Sequence, residues 1–122
     1  MNWKLSEDRP IWMQLVEQLT LRIVAGAYAP GSAVPAVRAL ASEAGVNPNT
    51  MQRALAELEA RGLVETRRTA GRTVTEDLEL LRRVRDQLAY ARMDEFLVSM
   101  RALGYTDAQT RALLQDKKEE TV

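Results

Sequence analysis

The chain has 122 residues, 46% hydrophobic and 28% charged, the size and balance of one ordinary folded domain rather than of a disordered or membrane-embedded polypeptide. It contains neither cysteine nor histidine, which excludes disulfides, thiol chemistry and imidazole metal sites and deprives an enzyme of its usual general base. Seventeen basic and seventeen acidic side chains cancel, so any attraction to a polyanion has to come from a local patch.

Trp3-Lys4-Leu5 alternates apolar and polar residues, which suits a very short strand or an anchoring arm. The first helix follows Pro10. Ile11, Leu15, Val16, Leu19 and Ile23 recur at three- and four-residue spacing and share one face, with Asp8 as the expected N-cap and Pro10 in the first turn. That helix ends near Gly26, and Ala29-Pro30-Gly31 is a turn. A second helix opens at Pro35, turns Val37, Leu40 and Ala41 inward, and stops at Gly45, a left-handed cap. A third starts at Asn47-Pro48, cap followed by first helical residue, and buries Met51, Ala54, Leu55 and Leu58 before Gly62.

The period then changes from that of a helix to that of a strand. Leu63–Thr66 and Arg72–Thr75 are short β-prone runs around Thr69-Ala70-Gly71, which predicts a hairpin. A long helix follows from Leu78 to Leu103. Leu81, Val84, Leu88 and Ala91 mark one stripe on it, continued with a drift by Met93, Phe96, Met100 and Leu103. Thr106 with Gln109 three residues on is a capping-box pattern for a last helix through Leu113 and Leu114. Residues 117–122 are expected to be a frayed, disordered end.

The segment from Val37 to Leu58 carries the chemistry. Ala41, Gly45 and Val46 supply a small residue, a positive-φ turn and an apolar plug, the spacing that two nearly perpendicular helices need in a helix-turn-helix. The third helix is left with an exposed N-terminal face of Asn49, Gln52 and Arg53, with Thr50 beside them. Asn and Gln can pair with adenine and Arg with guanine in a major groove, while Asn47 and Thr50 suit phosphate. The competing role of Asn47 is the helix cap, and that of Gln52 and Arg53 an ordinary solvated face. Arg67, Arg68 and Arg72 surround the hairpin tip with no acid between them, which suits phosphate or minor-groove contact, a solvated charged turn being the competing role; Arg38, at the start of the second helix, is placed to reach a phosphate.

These residues resemble the GntR family of bacterial regulators. The resemblance runs in order through Pro10-Ile11-Trp12-Met13-Gln14-Leu15, Ala29-Pro30-Gly31-Ser32, Val34–Ala41, Gly45–Met51, Ala54-Leu55-Leu58 and Gly62-Leu63-Val64, covering roughly residues 9–75. The Asn-Pro-Asn-Thr start and the short tail are similar to the YtrA subfamily. The resemblance implies that Arg38, Asn47, Asn49, Thr50, Gln52 and the wing from Arg68 through Thr69 and Gly71 to Arg72 hold DNA-contact positions. The wing departs from the family pattern, with Thr69 in place of the first glycine and Thr73 in place of an aromatic, while Gly71 keeps the second glycine.

The expected architecture is mostly α with a small β-hairpin: a winged helix-turn-helix over residues 1–76, then a two-helix dimerisation tail over 77–116. Leu81, Val84, Leu88, Met93, Phe96, Met100 and Leu103 are expected to face a second subunit, since isolated helices cannot cover such stripes; packing onto the chain's own first helix is the alternative. The expected protein is a cytoplasmic homodimeric regulator, a repressor, on palindromic double-stranded DNA. It takes no cofactor or metal and has no membrane association, for no apolar run nears the roughly 18 residues of a span and MNWKLSEDRP lacks the features of a secretory leader. Rival expectations are a winged helix that binds protein instead of DNA, and a ligand sensor with a small pocket at the dimer interface lined by Trp3, Trp12 and Tyr90. An enzyme built on Asp94, Glu95 and Asp107 is disfavoured by the missing histidine and cysteine.

Overall fold

The computed structural model describes residues 2–120, with side chains up to Lys117. Five helices and one hairpin follow in the order α1 (Ile11–Val24), α2 (Val37–Ala44), α3 (Pro48–Ala60), β1 (Val64–Arg67), β2 (Gly71–Val74), α4 (Leu78–Ala102) and α5 (Asp107–Glu120). They form two compact units, Met1–Arg85 and Asp86–Val122.

The first unit is built on the stripes seen in the sequence. Leu15, Leu19 and Ile23 of α1 meet Leu40 and Ala41 of α2 and Met51, Leu55 and Leu58 of α3, and Leu63, Val64 and Val74 close the core from the hairpin side. Each fully covered leucine contributes about 1.5 to 3 kcal/mol, so these few side chains dominate the stability of the unit. The helix-turn-helix corner is set by Gly45, whose φ of +71° lets Val46 N–H reach the Ala41 carbonyl at 2.9 Å and Gly45 N–H reach that of Ser42 at 3.3 Å. Those two bonds satisfy carbonyls that the end of α2 would otherwise leave open.

β1 and β2 pair antiparallel, Val64 opposite Val74 and Arg67 opposite Gly71, leaving Arg68, Thr69 and Ala70 as the tip. Gly71 departs from the tip at φ +70°. The root of the hairpin is held from a third side: Ala33 bridges Thr73, Val34 N–H donates to the Arg72 carbonyl at 2.8 Å, and Val74 N–H donates to the Ser32 carbonyl at 2.9 Å.

Residues 2–9 form an arm and not a strand. Gln14, Gln18 and Arg22, spaced by four along one face of α1, grip it. The buried Gln14 amide donates to the Ser6 and Arg9 carbonyls, both at 2.8 Å, and accepts the Ser6 N–H at 2.8 Å. Gln18 exchanges two bonds with the Lys4 backbone, at 2.6 and 3.0 Å, as a neighbouring strand would. Arg22 lies 3.7 Å from the centroid of the Trp3 ring, and the Trp3 indole donates to Glu43 on α2 at 3.1 Å.

Several expected boundaries change. Asp8 does not cap α1: it accepts the Ser6 hydroxyl instead, which holds its carboxyl below the ordinary value, and Pro10 stands at the cap position with no side-chain bond. α2 begins at Val37 and not at Pro35, because Ala36 is still extended. The paired strands are shifted, Gly71 belonging to β2 and not to the turn. α4 is capped by Asp77, a role the sequence reading missed; its carboxylate accepts the Leu80 N–H at 3.0 Å. α5 runs on to Glu120, so residues 117–120 are helical and not frayed, while Thr121 and Val122 lie outside the described residues. The Thr106–Gln109 capping box forms as expected, with reciprocal bonds of 2.9 and 3.1 Å.

Candidate nucleic-acid interface

The exposed face of α3 begins with its cap. Asn47 accepts the Asn49 N–H at 2.7 Å, and Pro48 follows where no N–H is needed. The cap therefore fixes the direction in which the first turn leaves the core. Met51, Ala54, Leu55 and Leu58 bury the opposite stripe, so Asn49, Gln52 and Arg53 are exposed and Thr50 is half-buried at the edge. The amides of Asn49 and Gln52 offer a donor and an acceptor each, the pairing capacity needed against the edge of adenine.

The candidate basic residues divide into four kinds. Arg38, exposed in the first turn of α2, and Arg68, exposed at the hairpin tip, have no ion pair or hydrogen bond among the described residues. Arg67 is tied to Glu65 at 2.9 Å across exposed surface. The run without acids around the tip is thus partly neutralised from the strand itself, since β1 places residues two apart on one face. Arg72 is half-buried beside the root of the wing, and its Nε is buried without a partner. Arg53 rests on the Trp12 ring, with its guanidinium carbon 4.1 Å from the centroid. Thr69 and Gly71 are exposed at the tip, and Thr66 donates its hydroxyl to Glu59 at the end of α3, which ties the wing to the helix beside it.

A recognition helix with a capped, amide-bearing face, next to a hairpin carrying arginines, is the arrangement that places a helix in a major groove and a wing along the backbone. The family model for bacterial regulatory proteins of the gntR family matches residues 13–74, the stretch from α1 to the end of the wing. The chain belongs to the GntR family. Relatives of this GntR protein include the HTH-type transcriptional regulator YhcF of Bacillus subtilis, 36% identical over 87% of this chain and 88% of that protein. The HTH-type transcriptional repressor YtrA of the same organism is 38% identical over 56% of this chain and 52% of that protein. Among solved structures, a GntR family transcriptional regulator from Listeria monocytogenes superposes with a TM-score of 0.81 at 32% identity, covering 92% of this chain and 98% of that one. The GntR chain is accordingly a DNA-binding transcription regulator with a winged helix-turn-helix, and not an enzyme.

The residues expected to face a second subunit fall in different places in this GntR chain. Leu81 is buried in the first unit's core and Val84 packs against it, so their apolar area is covered within the chain. Leu88 and Met100 are half-buried; Met93, Phe96 and Leu103 are exposed, as are Val98, Leu113 and Leu114. Of the aromatics weighed for a ligand pocket, Trp3 and Trp12 are each stacked by a different arginine, and Tyr90 is exposed. Among the described residues no helix is long and apolar enough to cross a membrane.

Proposed function

We propose that the protein is a cytoplasmic homodimeric repressor that sets two copies of α3 into successive major grooves of a two-fold symmetric site, about 34 Å apart. The observation that carries this reading is the face of α3, where the Asn47 cap fixes the first turn and Asn49 and Gln52 are exposed, with Arg38 and Arg68 exposed and unpaired among the described residues. Asn47, Asn49, Thr50 and Gln52 form the recognition surface, with Arg53 at its flank. Arg38, Arg67, Arg68, Thr69, Gly71 and Arg72 meet the backbone. Residues 1–76 carry DNA binding and 77–116 dimerisation, the latter through Leu88, Met93, Phe96, Met100 and Leu103, with Leu81 and Val84 serving the first core. The exposure of Phe96 and Leu103 supports a covering partner, and the likeness to a protein named as a repressor supports occlusion of a promoter. With no net charge, a single copy gains little from long-range attraction, so two linked surfaces are needed for tight binding.

Selection of bound duplexes from a random pool, followed by salt-titrated gel shifts, tests the reading. The expected outcome is an inverted repeat with half-sites about one helical turn apart. Gln52→Ala is expected to relax preference at one position of each half-site, and Arg68→Ala to weaken binding to all sequences with a flatter salt slope. Enrichment of no sequence, with both variants equal to the parent, would overturn it.

A further inference from the structure

Trp12 and Arg53 are far apart in sequence and meet across α1 and α3. Trp12 is half-buried at the rim of the core, and Arg53 is exposed. Arg9, Arg61, Arg67, Arg82 and Arg101 each lie against a carboxylate, but Arg53 has no such partner among the described residues. Glu57, one turn along α3 and the natural partner for Arg53, is engaged by Arg61 at 3.1 Å. The Arg53 guanidinium carbon lies instead over the Trp12 ring, 4.1 Å from the centroid, where a cation is attracted by the π face.

We propose that this stack is a preset phosphate clamp at the flank of the DNA-reading face, with Trp12 the positioning residue for Arg53. A side chain that reads a base projects straight out from the recognition helix. Arg53 is instead drawn sideways from the face of Asn49 and Gln52 toward α1, the helix that α3 packs on. From that flank the duplex offers phosphate oxygens, which a planar guanidinium takes through its free N–H edge while its face stays on the ring. Arginine carries large rotamer freedom, and the indole removes part of it before DNA arrives. The clamp rests on the DNA-binding reading above, and it changes the sequence-based expectation for Arg53 from guanine reader to backbone contact.

The test uses the full chain and two probes: the duplex that the parent protein selects from a random pool, and an unrelated duplex of equal length. Arg53→Ala is expected to weaken both by a similar factor and to lower the slope of log affinity against log salt by about one. Trp12→Leu keeps apolar volume but removes the π face. It is expected to weaken both probes about two- to fivefold, the scale of an exposed cation–π contact, and Trp12→Phe to restore most of that. In an Arg53→Ala background, Trp12→Leu is expected to add nothing, which a merely structural role would not produce. Melting curves confirm that the variants are folded; Trp12→Met, which also lacks the π face, stands in if Trp12→Leu is not. A single relaxed base position with an unchanged slope for Arg53→Ala would overturn the clamp, as would an equal Trp12→Leu loss with and without Arg53. Failure of the parent to bind either duplex would instead overturn the DNA-binding reading, and the clamp with it.

Discussion

Leu15, Leu19, Leu40, Met51, Leu55 and Leu58 in the first unit are sealed against one another, whereas Tyr90, Val98 and Leu103 in the second keep 60% or more of their surface in contact with water. Among the described residues past Arg85, Thr110 alone is buried, and it bonds back to the Thr106 carbonyl at 3.1 Å. The first unit closes a core from three helices and a hairpin. The second has two helices and no third layer to cover their apolar residues, a composition that isolated helices do not sustain on their own. The same kind of side chain thus serves stability in one region and is available for association in the other.

That contrast can be broken at its strong end. Leu55→Ala, at the centre of α3, is expected to cost about 3 to 5 kcal/mol, a large share of the stability of so small a unit, and to abolish the cooperative melt followed by circular dichroism together with DNA binding. At the other end, Phe96→Asp puts a charge on the open face of α4. It is expected to raise the dissociation constant for self-association by about thirtyfold or more, read by sedimentation, while the melt of the first unit stays close to the parent's. A Phe96→Asp protein that remains a dimer would show that the open face is not where two copies meet. The smallest effect is expected at the turn between α4 and α5. Arg101 donates two hydrogen bonds to Asp107 at 2.8 and 2.9 Å, which holds that carboxyl below its ordinary value. A depressed carboxyl stabilises the fold above the unfolded-state pKa and loses that contribution as pH falls through the folded one. Asp107→Asn should therefore lower the melting temperature slightly at neutral pH, with the difference vanishing in acid below the carboxylate range.

How much of this was legible in the sequence varied with the range of the interaction. The α3 cap and the Thr106–Gln109 box are local, fixed by residues two or three apart, and both were read correctly. The α1 cap was misread because Asp8 had a nearer partner in Ser6, a competition that spacing cannot rank. Asp77 was overlooked as the α4 cap although it directly precedes the first apolar turn. The grip of Gln14 on the arm left one faint signal, a glutamine beside Leu15 and Val16 on the apolar stripe. Periodicity marked Leu81 and Leu103 alike as apolar stripe but could not say that one meets its own chain and the other stays open. The Trp12–Arg53 stack left no signal, since only the packing of α1 on α3 brings the two together. Of the candidate interface, the cap and the exposed face of α3 were therefore legible, and the distinction between free, paired and stacked arginines was not.

The backbone bonds from Ser32 and Val34 to Arg72 and Val74 also bear on the order in which the unit is expected to fold. They tie off a long loop of chain that contains all of α2 and α3. Such a closure is entropically slow, and its reward comes only when the helices inside have found one another. The wing root is therefore expected to form after the two helices it encircles have packed, and to open before they part.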